Sequence, residues 1–123
     1  MPVVYKEDAV SKTIELVVNG KVTQQDWEDV VPKFEKFLDQ HGTIRLIEII
    51  ESLKGFDPVL IWEGIKLDIK VIPKISHCAV VSDIGWISPV SKAAGMFMPT
   101  KMRTFDLAQV DDARAWIASP ETA

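Results

Sequence analysis

Ile44-Arg45-Leu46-Ile47-Glu48-Ile49-Ile50 is the stretch that decides how the rest of the chain reads. Four of its seven residues are isoleucine, and two charges, Arg45 and Glu48, interrupt it. It lies between a helical pattern that closes at His41-Gly42 and a loop-like stretch, Ser52-Leu53-Lys54-Gly55-Phe56-Asp57-Pro58. A short β-branched run so bounded is the pattern of a central strand buried on both faces, because helices cover both sides of a parallel sheet and leave no wet face. The run therefore predicts an α/β domain.

Before it, Val3-Val4-Tyr5 and Thr13-Ile14-Glu15-Leu16-Val17-Val18 are β-branched segments separated by polar residues, the second ending at Asn19-Gly20. They predict an antiparallel hairpin. Thr23 with Asp26 three residues later has the spacing of a capping box, and Trp27, Val30, Val31, Phe34, Phe37 and Leu38 recur at helical intervals. The expected helix runs from Gln24 to Gln40, kinked or broken at Pro32 and capped by Gly42.

After it, Asp57-Pro58 is an N-cap followed by proline at the first helical position, opening a helix from Pro58 to Val71 that Pro73 ends. That helix carries two apolar stripes, one through Ile61, Trp62, Ile65, Ile69 and Ile72 and a second through Leu60, Gly64, Leu67 and Val71. Cys78 to Val81 reads as the next strand, then a helix whose face includes Trp86, Ile87, Val90, Ala93 and Ala94. Gly95 to Pro99 reads as an apolar loop, Lys101 to Phe105 as an edge strand, and a last helix starts near Val110.

With 123 residues, 47% hydrophobic and 26% charged, the chain suits one domain that buries roughly two-thirds of its unfolded surface. A net charge of −4 gives no field that would draw in a phosphate backbone, so nucleic acid is not an expected partner. No run approaches the ~18 uncharged residues of a spanning helix, and the start lacks a basic region followed by an apolar one, so a cytoplasmic protein is expected. One cysteine and two histidines provide neither an internal disulfide nor the spacing of a metal site. Cys78, inside Cys78-Ala79-Val80-Val81, reads as an inert core thiol.

The order of elements, together with Gly20-Lys21-Val22-Thr23, His41-Gly42-Thr43-Ile44-Arg45-Leu46, Ala79-Val80-Val81-Ser82-Asp83 before Trp86, and Arg103-Thr104-Phe105 ahead of Ala113-Arg114-Ala115-Trp116-Ile117, resembles the SpoIIAA-like family. The resemblance spans nearly the whole chain and implies one domain, residues 1–123, of the STAS type. That is a mixed sheet of about five strands with helices packed on it, in the order ββαβαβαβα, similar also to the lipid-carrying CRAL-TRIO domains. Antagonists of anti-sigma factors with this fold carry a phosphorylatable serine just after the central strand, at a helix N-terminus. Here that place reads Phe56-Asp57-Pro58-Val59, with Ser52 several residues early, so this chain departs from the phosphorylation pattern.

Function is read more narrowly. Glu48, Glu51 and Asp83 fall at the ends of strands, where open α/β sheets place ligands, but they read as loop and cap carboxylates held by backbone donors. No phosphate loop, nucleophile elbow or metal triad is present, so neither an enzyme nor a cofactor is expected. The second stripe of the Pro58 to Val71 helix is the distinctive feature. Leu60, Trp62, Leu67 and Val71 with Trp86, Met96, Phe97 and Met98 would line a cavity for an apolar, lipid-like ligand if that helix lifts from the sheet. Lys66, Lys70, Lys74, Lys92 and Lys101 would meet anionic head groups in a transient contact at the inner membrane face. The competing expectation is a regulatory module whose same apolar patch docks a protein partner or a second copy of the chain, and the plainest is that these residues are ordinary core.

Overall fold

The computed structural model describes residues 3–56, 72–96 and 99–120. Five strands form one sheet in the order β1-β2-β3-β4-β5: β1 Val3–Asp8, β2 Thr13–Val22, β3 Ile44–Phe56, β4 Ile75–Ser82 and β5 Lys101–Phe105. β1 is antiparallel to β2, and every later pair is parallel. Helices α1 Gln24–His41, α2 Ile87–Gly95 and α3 Val110–Ala118 pack on this sheet. The expected helix from Pro58 to Val71 lies outside the described residues; the chain re-enters as a 3-10 turn, Ile72–Lys74.

β3 is the middle strand, and its alternation feeds two cores. Ile44 and Leu46 join Ile14, Cys78 and Val80 beneath Phe34, Phe37 and Leu38 of α1 and Ile87 of α2. Ile47 and Ile49 join Ala79, Val81 and Phe105 beneath Ala113, Trp116 and Ile117 of α3. The strand order explains this sidedness. Parallel strands added one after another by right-handed crossovers place their connecting helices on the same face, which leaves the other face to the C-terminal helix.

Specific polar contacts set the helices. Thr23 and Asp26 complete the capping box: Thr23 Oγ1 accepts from the Asp26 N–H at 3.3 Å, and Asp26 Oδ2 accepts from the Thr23 N–H at 2.8 Å. Arg45 donates from Nη1 to the carbonyls of Ile117 at 2.7 Å and Ala118 at 3.3 Å, so a cation of the central strand caps the negative end of α3. Arg114 grips Glu15 of β2 with a fork of 2.9 and 3.2 Å. That hydrogen bond raises the Arg114 guanidinium above its ordinary range, against a smaller opposing effect of burial.

Three expectations are corrected. The stretch from Ser52 to Phe56 is strand rather than loop, because β2 does not stop at Asn19-Gly20 but runs on to Val22, pairing Asn19 with Ser52, Gly20 with Leu53 and Val22 with Phe56. β1 reaches only to Val18 and β4 only to Ile50, so this end is a two-stranded ribbon, and register shifts at Val18/Asn19 and Gly20/Lys21 accommodate its turn-like residues. Of the kink or break expected at Pro32, the break does not occur: α1 is one element of 18 residues. Pro32 and Glu28, whose carbonyl loses its donor, are both exposed, so water satisfies that carbonyl while buried Phe34, Phe37 and Leu38 hold the opposite side to the sheet. Gly95 belongs to α2 and not to a loop, and an added Cβ there would stand 3.1 Å from the Met102 Cβ.

Gly42 shows why the turn into β3 needs glycine. Its φ of 76° and ψ of −68° form a γ-turn in which the Thr43 N–H donates to the His41 carbonyl at 2.9 Å, while the Gly42 N–H donates to Leu38 at 2.8 Å. A Cβ would meet nothing within 4 Å, so the constraint is backbone conformation alone. Gly42→Ala is expected to cost about 1–3 kcal/mol through strain at positive φ, read as a lower urea midpoint with unchanged slope.

Candidate functional site

The apolar residues singled out in the sequence do not all meet. Leu60, Trp62, Leu67, Val71, Phe97 and Met98, and the lysines Lys66 and Lys70, lie outside the described residues. The remainder gathers on and around α2. This helix follows the turn after β4, where the Ile87 N–H donates to the Ile84 carbonyl at 3.1 Å, and Pro89 falls among the first helical positions, whose donors have no intrahelical partner. Ile87, 4% exposed, and Gly95 face the sheet.

Trp86 and Val90 do not form the inner face that their grouping with Ile87 implied. Trp86 precedes the helix, its carbonyl accepts from the Val90 N–H at 3.2 Å, and both side chains are 56% exposed. Ala93 is exposed one turn on, and Met96, just past the helix end, is 81% exposed. Trp86 and Val90 lie about 100° and about 60° around the axis from Ile87, on the side away from Gly95, so seating Ile87 and Gly95 on the sheet turns both outward. The result is an apolar row about 15 Å long on the solvent side of α2.

Lys92 of α2 is exposed, as are Lys74 and Lys101. Lys74 immediately precedes β4 and Lys101 opens the neighbouring β5, so both stand at the starting ends of adjacent strands, the end of α2 at which Met96 emerges. Trp86 stands at the opposite end, after β4 finishes. Buried Thr100 closes the lysine end by donating from Oγ1 to the Ile75 carbonyl at 2.7 Å.

The finishing ends of the parallel strands are tied up in structural bonds. Ser82 Oγ, buried, donates to the Ile50 carbonyl at 2.8 Å and accepts from the Ile84 N–H at 3.2 Å. Asp83 Oδ1 accepts from the Leu107 N–H at 2.9 Å, as a cap carboxylate does. Ser52 donates to Asn19 Oδ1 at 2.6 Å from within β3, which places it in a strand rather than at a helix N-terminus; Asp57 lies outside the described residues. Glu51 is exposed and Glu48 half-buried. No group of three or more His, Cys, Asp or Glu side chains positioned to hold a metal occurs among the described residues.

Cys78 is 5% exposed in the core under α1 and α2. Burial, and secondarily the charge of Glu48, push its thiol well above the ordinary range. Both effects disfavour the thiolate, the reactive form. A groove of about 430 Å³ opens instead on the other face, where α3 leaves β1 and β2 uncovered; Lys6, Asp8, Thr13, Glu15 and Arg114 are among its walls, and the Arg114–Glu15 pair crosses it.

A family model described as SpoIIAA-like matches residues 13–118. The fold is also that of a solved structure, an uncharacterized protein with a SpoIIAA-like fold from Shewanella loihica PV-4: the TM-score is 0.78 and the identity 21%, over 94% of this chain and 91% of that one. No curated protein matches. No helix among the described residues is long and apolar enough to cross a membrane.

A thiol so placed is expected to stay unmodified by Ellman's reagent at pH 8 in the native protein and to react at once in denaturant, measured by absorbance at 412 nm.

Proposed function

Since the chain belongs to the SpoIIAA-like family, we propose that it is a single, non-enzymatic binding domain that docks a protein partner through the outer side of α2. The observation that carries this reading is the exposed row of Trp86, Val90 and Met96. Tryptophan and methionine are enriched where protein surfaces meet, tryptophan because its rigid ring buries a large apolar area for few frozen torsions and methionine because its flexible thioether adapts to the partner, and aromatic anchors dominate binding energy. Lys74, Lys92 and Lys101 define the complementary chemistry: an apolar contact surface bordered by carboxylates.

The same side chains support the apolar-ligand and membrane reading, in which they dip into a bilayer beside anionic head groups. Two features favour the protein partner. The row lies on the convex outside of a helix, and a net charge of −4 opposes an anionic surface that, among the described residues, three lysines near the row would have to attract. Those three contribute about 1 kcal/mol each at such a surface, too little for adsorption without deep apolar insertion.

A photo-crosslinking residue at position 86 in the host cell is expected to trap one discrete protein adduct, lost in the Val90→Asp variant, while the purified protein fails to float with phosphatidylglycerol vesicles. Co-flotation without an adduct would transfer the surface to the membrane reading. Val90→Asp, altering an exposed position, is expected to leave stability within about 0.5 kcal/mol of the parent by urea denaturation.

A further inference from the structure

A second surface lies far from α2, at the opposite edge of the sheet. β1 is the first strand in the order and pairs only with β2 among the described residues, so its outer backbone groups face outward. Its two halves differ. Lys6, Glu7 and Asp8 are exposed charges of the kind that blunt an edge, whereas Val3, Val4 and Tyr5 are apolar, with Val4 40% exposed. Tyr5 packs on the α1 side of the sheet, and by strand alternation Val3 and Glu7 share that side.

α1 runs beside this edge and turns it into a groove. One section, about 230 Å³, is lined by the apolar Val3, Val4, Tyr5 and Val30 together with Asp26, Asp29 and Lys33. The next, about 630 Å³, shares Tyr5 and Lys33 and adds Glu7, Lys36 and Gln40. The α1 residues recur every three or four positions, which is a single helical stripe aimed along β1. Lys33 and Lys36 are exposed, and neither carries an ion pair among the described residues, while Glu7 is engaged by the Tyr5 hydroxyl at 2.6 Å.

An edge strand with a helix alongside is the arrangement by which an extended peptide is taken up: main-chain bonds continue the sheet, and alternate side chains enter pockets. We propose that β1 and α1 form such a strand-addition groove for an extended segment of another protein. This segment places an apolar side chain between Val3, Tyr5 and Val30 and, further along the same side, a carboxylate beside Lys33 and Lys36. Asp26 and Asp29 fix that order by repelling a carboxylate at the apolar end. The same charges oppose a second copy as occupant, because antiparallel pairing of two β1 strands centred on Tyr5 would bring the partner strand's glutamate against them.

The test is an amide NMR titration of the full chain with a capped nine-residue peptide alternating threonine with valine and glutamate, compared with its twin carrying lysine for glutamate. Shifts are expected at the amides of residues 3–8 and 30–36, and the lysine twin should bind about tenfold more weakly. In the doubly substituted Lys33→Glu, Lys36→Glu variant, whose changed side chains are exposed, that preference should reverse. Circular dichroism would verify that the variant is folded. Equal affinity for both peptides, no binding of the glutamate peptide at millimolar concentration, or shifts confined to residues 86–96 would overturn the proposal. So would a dimer in sedimentation that Val4→Lys dissolves. Apart from shifts at residues 86–96, none of these outcomes bears on the α2 surface, which the crosslink at position 86 tests separately.

Discussion

Everything in this fold hangs on β3 being sandwiched. Its neighbours on both sides run parallel to it, and its side chains alternate between two separate cores, Ile44 and Leu46 into one, Ile47 and Ile49 into the other. A strand in that position has no wet face, so a slip of one residue would exchange the two cores and send Arg45 and Glu48 to the wrong sides. Arg45 is the polar counterpart of this constraint. Only in the present register does its guanidinium reach the last carbonyls of α3, linking the middle of the sheet to the end of the chain.

The sidedness that follows distributes the rest of the surface. Successive crossovers put α1 and α2 on one face, and among the described residues a single helix of nine residues, α3, covers the other. It reaches β3, β4 and β5 and is anchored to β2 through Arg114 and Glu15, which leaves a charged groove above β1. On the first face the short α2 seats Ile87 and Gly95 on the sheet, Gly95 against Met102 of β5, which leaves Val90 and the flanking Trp86 and Met96 on the outside. The surface row of Trp86, Val90 and Met96 is thus a consequence of which side of α2 is flat enough to pack. The groove along β1 has a similar origin, because the edge strand of a sheet lies partly beyond the reach of the helix above it.

Parts of this were legible in the residues. The β-branched density of Ile44 to Ile50 marked the centre, Thr23 and Asp26 marked the start of α1, Gly42 its end, and the alternation of Lys101 to Phe105 an edge. Local patterns failed where the outcome depended on a partner elsewhere in the chain. Ser52 to Phe56 has turn-like composition and became strand because β2 extended alongside it. Pro32 has a strong local meaning, yet α1 runs through it as one helix, with Phe34, Phe37 and Leu38 buried against the sheet and the proline itself exposed.

By itself the sequence determined the α/β class, the central strand, the caps of α1 and the burial of Cys78, since each depends on residues near one another along the chain or on simple burial. The tertiary structure decided which side of α2 faces water, where Lys74 and Lys101 stand relative to Met96, and how Arg45, Glu15 and Arg114 are used. These depend on register and on the rotation of a helix about its own axis. A rotation of about 100° exchanges an inner residue for an outer one without changing the apolar pattern, so only the packing of Ile87 and Gly95 on the sheet could settle which residues remain exposed.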